Sequence, residues 1–187
     1  MDTQWPRFEV FVQETPGSPH QGVGSVHASD AELALLNARD VFARRPACVS
    51  MWVAPVHAIF SLTREQLSAL AEQPEAQPAQ DLETKDYYLF VKTKPAGTHV
   101  FSGQVIAASP QAAIAQARAA WTGRQQPYVW WAVETSLVLQ SDPQDVDSLY
   151  APALDKPFRL STDFQTVTAM RQIRSTVPEL KPPCEDE

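Results

Sequence analysis

Histidines are the side chains through which this chain could most readily do chemistry. A neutral imidazole serves as a general base or a metal ligand near pH 7. The sequence contains four histidines: His20, His27, His57 and His99. No two of them stand at the local spacing that metal ligands require. For His27, which falls in a predicted strand, a hydrogen-bonded structural role is therefore favoured over catalysis.

Sequence motifs for metal, nucleotide and nucleophile chemistry are also absent. A di-iron carboxylate centre needs Glu-x-x-His pairs, because that spacing places both ligands on one helix face. No glutamate here has a histidine three residues later. Cys48 and Cys184 lie far apart, and the Gly-x-Gly-x-x-Gly, P-loop and Gly-x-Ser-x-Gly patterns are missing. The residues give no support for a resident cofactor, a metal site or a catalytic centre.

The composition is that of an acidic globular protein. The 187 residues are 44% hydrophobic and 20% charged, enough apolar material for one compact domain or two small packed ones. A formal charge of -7 has the wrong sign for neutralising phosphates, which disfavours nucleic acid as a partner. The first residues lack a basic region followed by an apolar run, and no long apolar stretch occurs. We therefore expect a cytoplasmic protein that does not bind membranes.

The chain repeats itself at a fixed offset, since Phe11 recurs as Phe90 and 90 − 11 = 79. From 8–53 to 87–132, 12 of 46 positions are identical, where ordinary residue frequencies give roughly 3. The shared residues include Phe11, Val12, His20, Gly24, Ala38, Arg39, Arg45 and Trp52. The predicted organisation is a first repeat at 7–70, a Pro/Ala/Gln/acidic linker at 71–85, a second repeat at 86–149, and a C-terminal tail at 150–187 that frays at its end.

Local patterns predict the elements of each repeat. Alternating apolar residues indicate an opening strand at 8–12 and 87–91. A second strand follows, in which Gly24 and Gly103 indicate a bulge or a close backbone approach. Ser29 or Asp30 starts a helix in the first repeat and Ser109 starts one in the second. Pro46 and Pro127 mark the helix ends, and buried strands are expected at 49–53 and 129–133.

These elements predict an α+β fold with a helix layer on one face of a sheet. Each copy is a β-β-α-β unit, with a fourth strand at 59–60 and 138–139 that extends or returns the third, and then a short helix. A unit of about 65 residues would bury only a small core by itself. We therefore expect the two copies to pack as an intramolecular pseudo-dimer that shares apolar surface.

An ordered set of segments in the first repeat carries a family resemblance: 8–12, 20–28, 34–40, 44–45 and 50–53. Together they resemble the PaaB family, the B subunit of the bacterial phenylacetyl-coenzyme A epoxidase. The segment 154–164 more weakly resembles the C-terminal part of the usual single-copy protein. The present sequence departs from the family pattern in being a tandem repeat.

The resemblance implies a subunit without cofactor that helps to assemble a multicomponent oxygenase of aerobic phenylacetate degradation. A separate catalytic subunit would hold the di-iron site, and an inactive structural homologue of it would support that subunit. A flavin and iron–sulfur reductase would supply electrons from NADPH. The implied partners are the di-iron subunit and its homologue, with the reductase as a further candidate. The family supplies no catalytic residues to carry over.

Most of the candidates for the partner interface are polar residues that the second repeat lacks, whereas His20 and Arg45 recur in it as His99 and Arg124. His27 becomes Ile106, Asp40 becomes Ala119 and Arg44 becomes Gly123, while apolar positions are kept. The first repeat is therefore expected to make the partner contacts. The interface candidates are His20, His27, Asn37, Asp40, Arg44 and Arg45. For Asn37 and Asp40 a merely solvated helix face is an equally good interpretation.

Two further pairs of residues, kept in both repeats, have structural and functional interpretations. Arg39 and Arg118 could hold a partner carboxylate, but bracing the helix through backbone carbonyls is favoured. Trp52 and Trp131 lie in the middle of predicted strands, so a core position is favoured over an interface hot spot.

A different class of function also fits the predicted fold. Two fused α+β units could form a cofactor-independent enzyme or a ligand-binding protein that acts on small aromatic compounds. Such a protein needs an enclosed pocket with convergent polar groups between helix and sheet, for which His20, His27 and Trp52 are the available lining residues. An RNA-binding sheet with exposed aromatics is disfavoured by the net acidity.

Overall fold

The structure, a computed structural model, describes residues 4–43, 48–71, 84–123, 125–154 and 166–176. Within these ranges the chain is α+β, as predicted, with one eight-stranded antiparallel sheet and five α-helices. The interface candidates Arg44 and Arg45, most of the predicted linker and most of the predicted tail lie outside the described residues. No helix in the described ranges is both long and apolar enough to span a bilayer.

Both repeats contain the same order of elements. The first has β1 (Arg7–Gln13), β2 (Gln21–His27), α1 (Ala31–Phe42), β3 (Ser50–Pro55), β4 (Phe60–Thr63) and α2 (Arg64–Ala71). The second has β5 (Lys85–Lys92), β6 (Val100–Ala107), α3 (Pro110–Ala119), β7 (Val129–Glu134), β8 (Leu139–Gln140) and α4 (Val146–Leu154). A short 3-10 turn follows β3 and β7. The predicted β-β-α-β order and the additional fourth strand are therefore present in both copies.

The first two strands of each repeat form an antiparallel hairpin with a bulge. The register shifts between Val10 and Phe11 in β1, opposite Gly24, and at the equivalent place in β5, opposite Gly103. Both glycines have φ of 146°, a backbone conformation that residues with a Cβ rarely adopt. The predicted bulge is confirmed in both copies.

The helix that follows each hairpin begins at the predicted cap. Asp30 accepts a hydrogen bond from the Leu33 backbone N–H at 2.8 Å, and this bond is the main cause that lowers the pKa of Asp30. Ser109 accepts from the Ala112 N–H at 3.2 Å, with Pro110 in the first turn. The prediction that Pro127 ends α3 is wrong, because α3 already ends at Ala119 and Pro127 is buried just before β7.

The fourth strand of each repeat pairs with the other repeat. The strand order in the sheet is β4-β7-β5-β6-β2-β1-β3-β8. Phe60 to Thr63 of β4 pair with β7, and Leu139 and Gln140 of β8 pair with β3. The expected extension or return within one repeat is therefore replaced by a crossing into the partner repeat.

The short helix after each fourth strand crosses over in the same way. Leu67 of α2, a first-repeat residue, is buried in the core beneath α3. Tyr150 lies on α4, which begins in the second repeat and runs into the predicted tail, and is buried in the same core beneath α1 as Ala34 and Ala38. Each helix–sheet core is thus completed by the other copy.

A third core lies on the opposite face of the sheet and joins the repeats. It contains Phe11, Trp52, Ala54, Phe90, Val133 and Val138, all buried. The equivalent residues Phe11 and Phe90 stack on each other with ring centroids 3.9 Å apart. Both are completely buried, so this pair contributes apolar area and a stacking contact at the centre of the molecule.

The two hairpins meet at one point in the sheet. Gln21 of β2 pairs with Val100 of β6. The Gly22 N–H donates to the His99 carbonyl at 2.7 Å, and the Phe101 N–H donates to the His20 carbonyl at 2.8 Å. The histidine that both repeats share therefore lies at the junction in both.

Helix α5 (Thr166–Thr176) belongs to a second compact unit that begins after Leu154. Val167, Met170 and Ile173 recur at a spacing of three and are each more than half exposed. This helix is therefore amphipathic, with an apolar stripe along one side.

Candidate protein-protein interface

Two of the six predicted interface residues, Asn37 and Asp40, lie on the side of α1 that faces away from the sheet. We define the α1 outer face as Leu36, Asn37, Asp40 and Val41, which fall on one side at the helical i, i+4 spacing. Leu36 is 43% exposed and Val41 is 53% exposed. Two large apolar side chains on a solvent-facing helix surface are typical of a contact surface.

His27 and Asn37 are connected beside this face. The Asn37 side-chain amide donates to the His27 carbonyl at 3.2 Å. The His27 ring, through Nδ1, donates to the Trp5 carbonyl at 2.8 Å. Trp5 itself is 57% exposed, so these bonds hold a large aromatic side chain near the end of β2. His27, Asn37 and Trp5 therefore form a polar and aromatic border to the α1 outer face.

Asp40 lies on the same helix in contact with an arginine. Nε and Nη2 of Arg39 both donate to Asp40 Oδ1 at 3.1 Å. The equivalent Arg118 instead donates to the Leu67 carbonyl of α2 at 3.2 Å. Carbonyl bracing is thus found for Arg118, towards α2. Arg39 pairs with Asp40, whose equivalent in the second repeat is Ala119.

The matching face of the second repeat has different chemistry. The α1 outer face corresponds to Ala115, Gln116, Ala119 and Ala120, all exposed. The position of His27 is taken by Ile106, which is 63% exposed. Short methyl groups present less contact area than Leu36 and Val41, so the two outer surfaces differ.

His20 is not on this surface, although its sequence position favours it as an interface candidate. Its ring is buried and stacks on Trp52 with centroids 3.7 Å apart, and its Nε2 lies 3.0 Å from Ser50 Oγ. Burial lowers the pKa of His20 to about 4, so the ring is neutral at pH 7. His20 packs the sheet in this structure.

The second repeat uses the same pair of side chains in the same way. His99 stacks on Trp131 with centroids 3.4 Å apart. Burial, aided by Lys92, lowers the pKa of His99 to about 4. Its buried Nε2 has no hydrogen-bond partner among the described residues. The counterpart of Ser50 is Val129, which has no hydroxyl.

Trp52 contacts aromatic rings of the other repeat as well as His20. Its ring stacks on Tyr88 at 4.8 Å and meets Phe101 edge-on at 5.1 Å. The core position favoured for Trp52 is confirmed, since this side chain is 8% exposed. Comparison of the repeats could not indicate Tyr88 or Phe101, because their first-repeat equivalents are Glu9 and Gly22.

The residues considered as liners of a ligand pocket do not converge on a common space. His20 and Trp52 stack directly on each other in the core that joins the repeats. His27 is exposed at the end of β2 and bonded to the N-terminal segment. No three His, Cys, Asp or Glu side chains in the described ranges lie close enough to share a metal ion.

Comparison with known proteins identifies relatives over most of the chain. The PaaB family, described as Phenylacetic acid degradation B, matches twice, over residues 4–81 and 83–171. The B subunit of the 1,2-phenylacetyl-CoA epoxidase of Escherichia coli (strain K12) is 38% identical over 73 residues, which are 39% of this chain and 77% of that protein. No solved structure gives a significant match. Two successive matches to one family, together with the repeated elements, show that this chain is a tandem-repeat member of the PaaB family.

Proposed function

We propose that this chain is a non-catalytic assembly subunit of a multicomponent di-iron phenylacetyl-coenzyme A epoxidase. The proposal rests on one observation: the residues best suited to chemistry that occur in both repeats, His20 and His99, serve to pack the sheet. The histidines common to both repeats are neutral at pH 7 and stacked on tryptophans, with His20 buried and His99 half-buried. The family is described as one of phenylacetic acid degradation, and a relative is named as an epoxidase subunit. Both descriptions support a place in phenylacetate degradation.

The two repeats act as an intramolecular counterpart of a dimer in this proposal. The pairing supports it, because each repeat packs its fourth strand and the short helix that follows against the other repeat. So does the contact between Phe11 and its own equivalent Phe90, because residues on a twofold axis contact their symmetry mates. A single-copy relative would make the same contacts between two chains.

The first repeat would provide the contact with a catalytic subunit or its structural homologue. The α1 outer face offers exposed Leu36 and Val41 next to the charged Asp40. Around the helix Asp40 and Asn37 lie between Leu36 and Val41, so this face would combine apolar and polar contacts, as protein interfaces commonly do. The alanines on α3 offer much less to bind.

A paired substitution experiment tests this assignment. Leu36→Glu with Val41→Glu should weaken copurification with the catalytic subunits by about tenfold or more, because charges would replace both large apolar side chains of the contact. The matched control is Ala115→Glu with Ala120→Glu at the equivalent exposed positions of the second repeat. That control should copurify normally. If the α3 variant lost the partners and the α1 variant kept them, the assignment of the repeats would be reversed.

Charge reversal at Asp40 gives a second readout at the same surface. Asp40→Arg should slow association, since surface charges act mainly on the rate of encounter. Unchanged association kinetics would leave Asp40 outside the contact.

A further inference from the structure

An open groove of about 410 Å³ lies where the two repeats meet on the side of α2. It is lined by Arg64, Thr93, Lys94, Pro95, Gln125, Gln126 and Tyr128. Arg64 comes from the first repeat and the other lining residues come from the second. The groove therefore exists only because α2 crosses over to the second repeat.

Arg64 is held in a fixed position within this groove. Its guanidinium lies over the Tyr128 ring, 4.4 Å from the centroid, and donates to the Gln126 carbonyl. Its backbone N–H donates to the Tyr128 carbonyl at 2.9 Å. A guanidinium that is already oriented loses less side-chain entropy when it binds an anion.

The groove is positively charged in a protein that is acidic overall. Its lining contains two cations, Arg64 and Lys94, and no carboxylate, whereas the whole chain has a formal charge of -7. Neither cation forms an ion pair within the described residues. Two unpaired cations next to an exposed aromatic ring, Tyr128, form a local site that attracts negative charge.

The backbone of α2 favours a carboxylate over a phosphate as the bound anion. Phosphates are typically held by several free N–H groups at a helix N-terminus. Here the Gln66 N–H donates to Thr63 Oγ1 at 3.3 Å, and the Arg64 N–H is bonded to Tyr128. Two of the first N–H groups of α2 are thus already bonded, and the Arg64 guanidinium offers the two oxygens of a carboxylate a charged, fork-shaped donor.

The other half of the molecule lacks this site. The positions equivalent to Arg64, Lys94 and Tyr128 are Pro143, Thr15 and Val49, and Thr93 corresponds to Glu14. The charge and the aromatic ring are therefore confined to one end of the molecule.

We propose that this groove binds a carboxylate-bearing, extended segment of a partner protein, in addition to the contact made by the α1 outer face. The open shape suits a peptide that passes across the surface. The groove is positively charged while the whole chain is acidic, so an acidic peptide is attracted to the groove and repelled elsewhere. The proposal depends on the groove alone and does not require that the partner is an oxygenase subunit.

Binding of a fluorescein-labelled hexaglutamate peptide to the full chain tests this site. Binding is measured by fluorescence anisotropy. A salt concentration of about 50 mM leaves the attraction between the peptide carboxylates and the two cations largely unscreened over the width of the groove. The combined variant Arg64→Gln and Lys94→Gln should weaken binding by about fivefold or more. Arg64→Lys should also weaken it, because the charge is kept and the fork is lost. Arg7→Gln is the matched control, since it removes an exposed cation outside the groove.

The outcomes distinguish binding in the groove from binding elsewhere or of another anion. Equal loss of binding in the Arg7→Gln control, or no binding by the unmodified chain, would overturn the proposal. Displacement of the probe at a much lower concentration of adenosine 3′,5′-bisphosphate than of unlabelled hexaglutamate would identify a phosphate site instead. Failure of unlabelled hexaglutamate to displace the probe would show that the fluorescein label is what binds, and would also overturn the proposal. A gain in affinity after removal of residues 177–187 would identify the acidic C-terminus of the chain itself as the occupant.

Discussion

The two histidines that stack on tryptophans are the residues that most clearly distinguish a packing role from a chemical one in this chain. His20 and His99 stack on Trp52 and Trp131 at the junction of the two hairpins. A catalytic base near neutral pH needs a pKa close to the working pH. Both histidines have pKa values of about 4 because burial disfavours the charged ring. Their rings are therefore suited to packing.

Acid should destabilise the protein through these two rings. The folded chain protonates them only near pH 4, whereas an unfolded chain does so near pH 6.5. Below pH 6.5 the unfolded state binds more protons, so the free energy of unfolding falls by up to about 1.4 kcal/mol per pH unit for each ring. The effect is absent above pH 6.5 and complete near pH 4.

Urea unfolding at pH 7 and pH 5 measures this loss. His99→Phe keeps a flat ring on Trp131 but cannot take up a proton, so this variant should lose less stability between the two pH values than the unmodified chain. An identical pH dependence in His99→Phe and the unmodified chain would show that His99 is not the group that titrates.

The two bulge glycines were predictable from the sequence, but their different surroundings were not. A glycine inside a strand pattern at the same place in both repeats indicates a bulge. A Cβ at Gly24 would lie 2.9 Å from Phe42 Cζ, whereas a Cβ at Gly103 would meet nothing within 4 Å. The counterpart of Phe42 is Trp121, so the neighbour depends on how each helix packs.

Alanine at these glycines should therefore cost unequal amounts of stability. Both substitutions place a Cβ at φ of 146°, a strain of about 1–3 kcal/mol. Gly24→Ala should cost about 1 kcal/mol more because it also collides with the Phe42 ring. Chemical denaturation measures both, and Phe42→Leu in the Gly24→Ala background should narrow the gap. Equal costs for the two alanine variants would exclude the collision.

At the level of elements, the strands and helices follow from local patterns, whereas their partners do not. Alternation, capping residues and bulge glycines identify the hairpins and the helix of each repeat, and the structure has them. The apolar alternation within a four-residue segment such as Phe60 to Thr63 predicts a strand, but it does not indicate which edge of the sheet that strand pairs with. Tertiary packing decides that this strand pairs with the other repeat. The crossing of the fourth strand could therefore not be predicted from the local sequence.

The groove beside α2 was missed for the same reason. Arg64 and the next lining residue along the chain, Thr93, stand on either side of the predicted linker. The α1 outer face, in contrast, is continuous in sequence, and Asn37 and Asp40 are recognisable by their loss in the second repeat. Candidate surfaces within one helix can be recognised in the sequence, but a groove formed by exchanged elements can be recognised only in the fold.

Exchange of elements predicts that neither repeat folds well by itself. A cut within residues 72–83 would leave a first fragment whose core lacks Tyr150 and a second fragment whose core lacks Leu67. When the two fragments are expressed together, they should copurify in equal amounts and melt cooperatively. Each fragment alone should be poorly folded or form swapped dimers.

Circular dichroism and light scattering of the separate and combined fragments check this prediction. Independent, monomeric and cooperative folding of both fragments would contradict the exchange. Leu36→Glu on the first fragment is a suitable control, because a solvent-facing position should not affect reassembly.

At the scale of the whole molecule, the tandem arrangement gives one chain two unlike ends. In a symmetric dimer of single-copy subunits, both outer faces and both ends would be identical. Here the α1 outer face is confined to one repeat, and the Arg64–Lys94 groove is confined to the opposite end of the strand order, beside β4 and β7. A fused chain of this kind can present different surfaces to different partners.

Turnover of phenylacetyl-coenzyme A with and without this chain is the decisive measurement for the proposed role as an assembly subunit. The catalytic di-iron subunit, its structural homologue and the reductase are combined, and epoxide formation is measured as the chain is added. We expect turnover to depend on the chain, to saturate at a fixed ratio to the catalytic subunit, and to be absent for the chain alone. Turnover by the isolated chain, or turnover by the other subunits that is unaffected by its addition, would contradict this role.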